Sequence, residues 1–190
     1  MPFELLVIGT SLGGFTALKV LLSGLVPSFP LAIAVVQHRH KESGSMMSRS
    51  MQQYIKLPMH EAEDKDELLP GHVYVAPTNY HLLVERGYLT LSVDEPVCFA
   101  RPSIDVLFES AADVYTNRTI GVILTGANHD GVNGLARIKA CGGLAIVQDP
   151  ATAETRTMPQ AAIDAIKVDA ILPLSDIAPY LVNLLCRSRS

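Results

Sequence analysis

Cysteine is scarce and scattered. The three residues Cys98, Cys141 and Cys186 are odd in number and show no CxxC or other ligand spacing, which argues against a disulfide framework or a thiolate metal site. They read as free thiols in a reducing cytoplasm, small apolar side chains in or near the core. Positive charge is lacking as well: 15 Lys and Arg against 19 Asp and Glu leave a net charge of -4, with no basic footprint for a nucleic acid. No apolar run approaches the ~20 residues of a membrane span. The opening run at 3–9 carries Glu4 and has no basic flank, so it is not a targeting peptide. Internal repeats, low-complexity tracts and linkers are absent. What remains is a soluble, unprocessed chain with a small-molecule or protein substrate. Its 190 residues, 48% hydrophobic, suffice for one sizeable core and one domain spanning 1–190.

The apolar residues are arranged in alternating periods. Short continuous runs at 5–9 and 31–36 suit strands covered on both faces, and between them Leu18, Leu21, Leu22 and Leu25 recur at helical spacing until Pro27 and Pro30 end the pattern. A second helix is expected over 43–55, followed by an acidic surface excursion over 59–71. Short strands at 73–76, 80–85 and 88–92 follow, the last two joined at Arg86-Gly87 as an antiparallel hairpin appended to the rest. After Pro102 the alternation resumes: helix 103–115, strand 119–124, helix 131–141, strand 144–147, helix 159–166, strand 170–172, helix 175–186. Strands alternating with helices predict a doubly wound α/β sandwich on a mainly parallel, Rossmann-like sheet with a small antiparallel hairpin.

In such sheets ligands bind beyond the carboxyl ends of the strands. After the first strand stands Gly9-Thr10-Ser11-Leu12-Gly13-Gly14, which contains Gly-x-Ser-x-Gly, the spacing of a nucleophile elbow. The alternative is a glycine turn that binds phosphate at a helix start. The chain has neither the Gly-x-Gly-x-x-Gly spacing here nor a following Lys-Ser/Thr. After the second strand stands Gln37-His38-Arg39-His40, where His38 can serve as a general base, as a structural histidine, or with His40 as half of a metal site lacking further ligands. Asp130 follows the strand at 119–124, either as a cap for the next helix or as a partner for the imidazole of His38. The order Ser, His, Asp excludes an ordinary α/β-hydrolase, which runs Ser, Asp, His. His129, beside Asp130, is a rival base ranked below His38.

These residues and their surroundings resemble the catalytic domain of the chemotaxis protein-glutamate methylesterases of the CheB type. The resemblance runs over 5–180. It rests on the loop at 9–14, Gln37-His38, Leu69-Pro70-Gly71-His72, Val75-Ala76-Pro77, Arg101-Pro102-Ser103-Ile104-Asp105, the run Gly121-Val122-Ile123-Leu124-Thr125-Gly126, Asp130-Gly131 and Met158-Pro159. It implies a catalytic triad of Ser11, His38 and Asp130, with the backbone N–H groups of Leu12 and Ala127 as oxyanion donors and with no cofactor or metal. It implies hydrolysis of glutamate γ-methyl esters on the cytoplasmic helices of methyl-accepting chemoreceptors, with glutamine deamidation by the same machinery. Two departures stand out. The family commonly has methionine and then glycine where this chain has Ala127 and Asn128, and Arg39-His40-Lys41-Glu42-Ser43 replaces a proline-rich stretch. The family's oxyanion donors are backbone groups and do not depend on the side chain at 127, so these changes bear on substrate fit.

A non-catalytic α/β module that uses the glycine loop to bind a nucleotide or a partner is the alternative from another class. Ser11 lies so near Met1 that no receiver domain is expected ahead of it, and activity is expected to be independent of phosphorylation of this chain, open or governed by a separate regulatory partner.

Overall fold

A computed structural model of the chain describes residues 3–38, 46–97 and 99–187. At its centre lies β1 (Leu5–Thr10), buried along its whole length. Its side chains alternate between two cores: Leu6 and Ile8 enter one, Leu5 and Val7 the other. A strand with apolar neighbours on both faces has no polar side to display, which is why the run is continuous rather than alternating. β2 (Ala32–Gln37) and β7 (Thr119–Ile123) flank it in parallel, and the full order is β3 (Met59–Glu61), β4 (Val73–Val75), β2, β1, β7, β8 (Leu144–Gln148), β9 (Ala170–Leu172), all parallel.

α1 (Gly14–Ser23), α2 (Met46–Gln52) and α6 (Leu174–Arg187) cover one face through Leu18, Leu21, Met51, Ile177 and Leu181. α3 (Ile104–Tyr115), α4 (Val132–Ala140) and α5 (Thr157–Ala165) cover the other through Leu107, Phe108, Leu135, Ile138 and Met158. The chain therefore leaves β1 toward one face and β7 toward the other. That divergence opens a crevice at the carboxyl ends of the two strands, where this kind of sheet binds its ligands.

Three readings change on this framework. The stretch at 59–71 is more than a surface excursion, because it opens with β3, paired in register with β4 from Met59 opposite Val73 to Glu61 opposite Val75. A three-residue edge strand with one exposed side carries no periodic signal long enough to read. The hairpin of β5 (His81–Glu85) and β6 (Tyr88–Ser92) forms its own two-stranded sheet, as expected. It is no loose appendage, since Leu82, Val84 and Leu89 are buried in the core under α3, and Ser110 Oγ of that helix accepts the Val84 N–H at 3.0 Å. Of the helix expected over 43–55, α2 ends at Gln52 and 53–55 are turn and loop, while 43–45 lie outside the described residues. Of the cysteines, Cys141 is free and half-buried; Cys98 and the side chain of Cys186 lie outside the described residues.

Candidate active site

The loop after β1 turns sharply because Gly13 adopts φ 80°, a left-handed conformation that strains residues with a Cβ. Gly14 N–H donates to Ser11 O at 2.9 Å and closes the turn ahead of α1. The loop is stitched to the one after β7: Ser11 N–H donates to Thr125 O at 3.0 Å, Thr10 Oγ donates to the same carbonyl at 2.8 Å, and Thr125 Oγ donates toward Leu12 O at 2.9 Å. Ser11 is half-buried, and its hydroxyl makes no hydrogen bond to any described residue. It lines an open cavity of about 430 Å³ with the rest of the turn, Phe15, Thr16, Gln37 and His38.

His38 reaches the same edge because Thr10 and Gln37 are paired in register, so the residue after each strand is the other's neighbour. Its backbone N–H donates to Thr10 O at 3.1 Å. Across the ring, Nε2 lies 2.7 Å from Asp130 Oδ2 and Nδ1 lies 3.0 Å from Asn128 Nδ2. An amide nitrogen only donates, so Nδ1 accepts and Nε2 carries the proton given to Asp130. The identity of that amide atom follows from its partner, Asn128 Oδ1, which accepts Asp130 N–H at 3.1 Å.

Asp130 is fully enclosed and accepts four donors. Oδ1 takes Ser103 Oγ–H at 2.8 Å and Asp105 N–H at 3.0 Å, while Oδ2 takes Ile104 N–H at 2.7 Å in addition to His38. Burial alone would raise this carboxyl, but the hydrogen bonds from His38 and from the Asp105 and Ile104 amides outweigh it and hold it below its ordinary value of 3.8. Both the cap and the imidazole partnership apply, with one correction: the helix it caps is α3 and not α4, whose N-cap is Gly131, with no side-chain cap. Asp105 shows the opposite balance. Burial pushes it above the ordinary carboxylate value against the Gly134 amide, and the negative charge of Asp130 adds to the rise.

Ser11, His38 and Asp130 thus stand on three adjacent strand ends. The backbone N–H groups of Leu12 and Ala127 donate to no described group, whereas their neighbours Ser11 and Gly126 are committed, Gly126 to Thr155 O at 3.1 Å. His129 is exposed and its ring makes no hydrogen bond among the described residues. His40, and with it the loop at 39–43, lies outside them.

Sequence reasoning passed over three supporting groups. Ser103 reads as a helix cap, and its own N–H donates to the buried His81 Nδ1 at 3.2 Å, whose Nε2–H reaches Glu95 O at 3.1 Å. That chain ties the hairpin side of the molecule to Asp130. The cap signature of Ser103 was visible; its bond to a residue 27 positions away was not. Asn128 stood out only as a departure.

The chain is similar to known proteins over nearly its whole length. A relative from Leptospira interrogans is 49% identical over 185 residues, which cover 97% of this chain and 96% of its own. The protein-glutamate methylesterase/protein-glutamine glutaminase 2 of Anaeromyxobacter dehalogenans is 42% identical over 181 residues, 95% of this chain but 53% of that longer protein. The crystal structure of the Thermotoga maritima CheB methylesterase catalytic domain superposes with a TM-score of 0.92 at 33% identity, covering 96% of this chain and 98% of that one. The sequence model of the family described as CheB methylesterase matches residues 6–181, and the chain belongs to that family.

Proposed function

We propose that this chain is a serine hydrolase that removes the γ-methyl ester from glutamate side chains on the helices of chemoreceptors, acts in the cytoplasm, where those helices lie, and deamidates glutamine with the same groups. The observation that carries the reading is the 2.7 Å bond between His38 and Asp130, one strand from Ser11 at the crevice of a chain of this family.

The chemistry follows from the tautomer. With Asp130 holding Nε2–H, the basic lone pair of His38 is on Nδ1. Ser11 Oγ gives its proton to Nδ1 as it attacks the ester carbonyl, and the carbonyl π electrons move onto oxygen. The Leu12 and Ala127 amides stabilise that oxyanion. Collapse of the tetrahedral species expels methanol, which takes the proton from Nδ1 and leaves an acyl-enzyme. Water, deprotonated by the same nitrogen, then attacks the acyl carbon; collapse expels Ser11 Oγ, which takes that proton back from Nδ1, and the released glutamic acid gives its proton to solvent. Asp130 remains ionised and stabilises the imidazolium. With a glutamine substrate the leaving group is ammonia. No cofactor enters any step, and the region 1–190 works as one catalytic domain.

The test is release of methanol from methylated receptor preparations, together with labelling by a serine-directed fluorophosphonate. Covalent capture of Ser11 and methanol release are expected. Thermal stabilisation by a nucleotide with no labelling would point to the binding module instead.

A further inference from the structure

A neutral imidazole has a single in-plane lone pair, and in this site it is already occupied. Asp130 Oδ2 takes Nε2–H at 2.7 Å, which leaves the lone pair on Nδ1, and Asn128 Nδ2 lies 3.0 Å from it. Neither group can turn over freely. Rotating the Asn128 amide would give up the bond between Oδ1 and Asp130 N–H and set an N–H against that donor. Inverting the His38 ring would present carbon to both Asp130 and Asn128. Ser11 Oγ, which lines the same cavity, makes no hydrogen bond to any described residue.

We infer that Asn128 is a positioning residue that acts through His38: it caps the base nitrogen in the free enzyme, and the Ser11 hydroxyl must displace it before a proton can move. The inference rests on His38 being the base for Ser11. One lone pair accepts one well-formed hydrogen bond, so Asn128 N–H and Ser11 O–H compete for it. Asn128 has room to yield, since it is half-buried and its neighbours Ala127 and His129 are exposed. Tautomer choice does not depend on it, because the carboxylate of Asp130 already holds Nε2–H. What Asn128 adds is a barrier: every turnover begins by breaking a neutral hydrogen bond whose net strength corresponds to about two- to tenfold in rate.

The experiment compares wild type, N128A, N128G and N128D by the rate of Ser11 labelling with a fluorophosphonate, by kcat and KM for methanol release, and by the nitrogen-15 spectrum of the His38 ring. Removing the donor in N128A or N128G is expected to speed labelling and kcat about two- to tenfold with KM unchanged. N128D has the same shape and still accepts Asp130 N–H, but sets a carboxylate opposite Nδ1. That carboxylate is expected to hold a proton taken from solvent on Nδ1 and to slow labelling on the order of 10²-fold. The spectra should show an unprotonated Nδ1 in wild type, where it accepts from Asn128, and in N128A, where it does not, and both nitrogens protonated in N128D. Slower or unchanged labelling in N128A and N128G at an unchanged melting temperature overturns the proposal, and a slower rate would make the amide an oxyanion donor. Wild type that never labels at Ser11 overturns the serine-hydrolase reading, and the proposal with it.

Discussion

Asp130 and Asp105 each hold the start of the other's helix: Asp130 Oδ1 accepts Asp105 N–H at 3.0 Å at the beginning of α3, and Asp105 Oδ1 accepts Gly134 N–H at 2.7 Å in the first turn of α4. The carboxylate aimed at His38 is thereby anchored to the positive end of α3. Its direction depends on how α3 and α4 pack together, and not on the loop after β7 alone.

Replacing Asp130 by Asn should therefore cost stability as well as turnover. The folded state holds this carboxyl below its ordinary value of 3.8, so its contribution is complete above that value and is lost as pH falls through the folded value. Urea unfolding of D130N at pH 7 is expected to show a loss of about 2 to 4 kcal/mol. The gap to wild type should close as the solution is made more acidic than the ordinary carboxylate value. A gap that widens below the ordinary carboxylate value would reverse the sign and sink the account.

Ser11→Ala is expected to abolish methanol release and fluorophosphonate capture while leaving the urea midpoint where it was, because the hydroxyl bonds to no described residue and its loss opens no core cavity. Turnover near that of wild type would remove Ser11 from the mechanism.

His38→Gln should lower kcat on the order of 10²-fold or more, whereas His129→Gln should change it little, since the His129 ring is exposed and meets neither Asp130 nor Asn128. Steady-state kinetics of the two variants side by side decide the matter, and equal losses would mean that the base is misassigned.

Ser103→Ala removes one of four donors to Asp130. Stability should fall by about 1 to 2 kcal/mol, and kcat should fall about tenfold as the carboxylate loses part of its alignment. A variant as active and as stable as wild type would show that the remaining donors suffice.

Gly13→Ala meets two obstacles. The residue has φ 80°, and a Cβ there would stand 2.7 Å from Glu154 Oε2 and 2.8 Å from Glu154 Cβ. A loss of about 1 to 3 kcal/mol is expected, with slower labelling of Ser11 as the turn shifts. Unfolding and labelling both matching wild type would leave the turn with no such constraint.

Much of this was legible in the chain itself, for a local reason. A strand covered on both faces must be a continuous apolar run, so 5–9, 31–36 and 119–124 announce themselves, and a polar residue just past each run must stand at a sheet end. That logic put Ser11, His38 and Asp130 at strand ends before any coordinates. The resemblance carried by the loop motifs named the family. Most element boundaries moved by a residue or two, as helix and strand ends commonly do, and the helix expected over 43–55 ends three residues early at Gln52.

Other features were settled only by tertiary structure, because they join residues with no periodic relation. Nothing local says that β1 lies between β2 and β7, which is what makes the three strand ends adjacent. Asp130 looks like a cap for the helix that follows it, yet it caps one that begins 26 residues earlier. The contact of His38 with Asp130 spans 92 positions. Which ring nitrogen keeps its lone pair, and the fact that Asn128 fills it, depends on where two side chains meet a ring, and hydrogen-bond direction leaves no trace in composition or period. β3 escaped notice because three residues of mixed polarity become a strand only when β4 is present to pair with them. Sequence determined the layers and the strand ends through burial; long-range packing decided which groups meet there and in which direction each proton points.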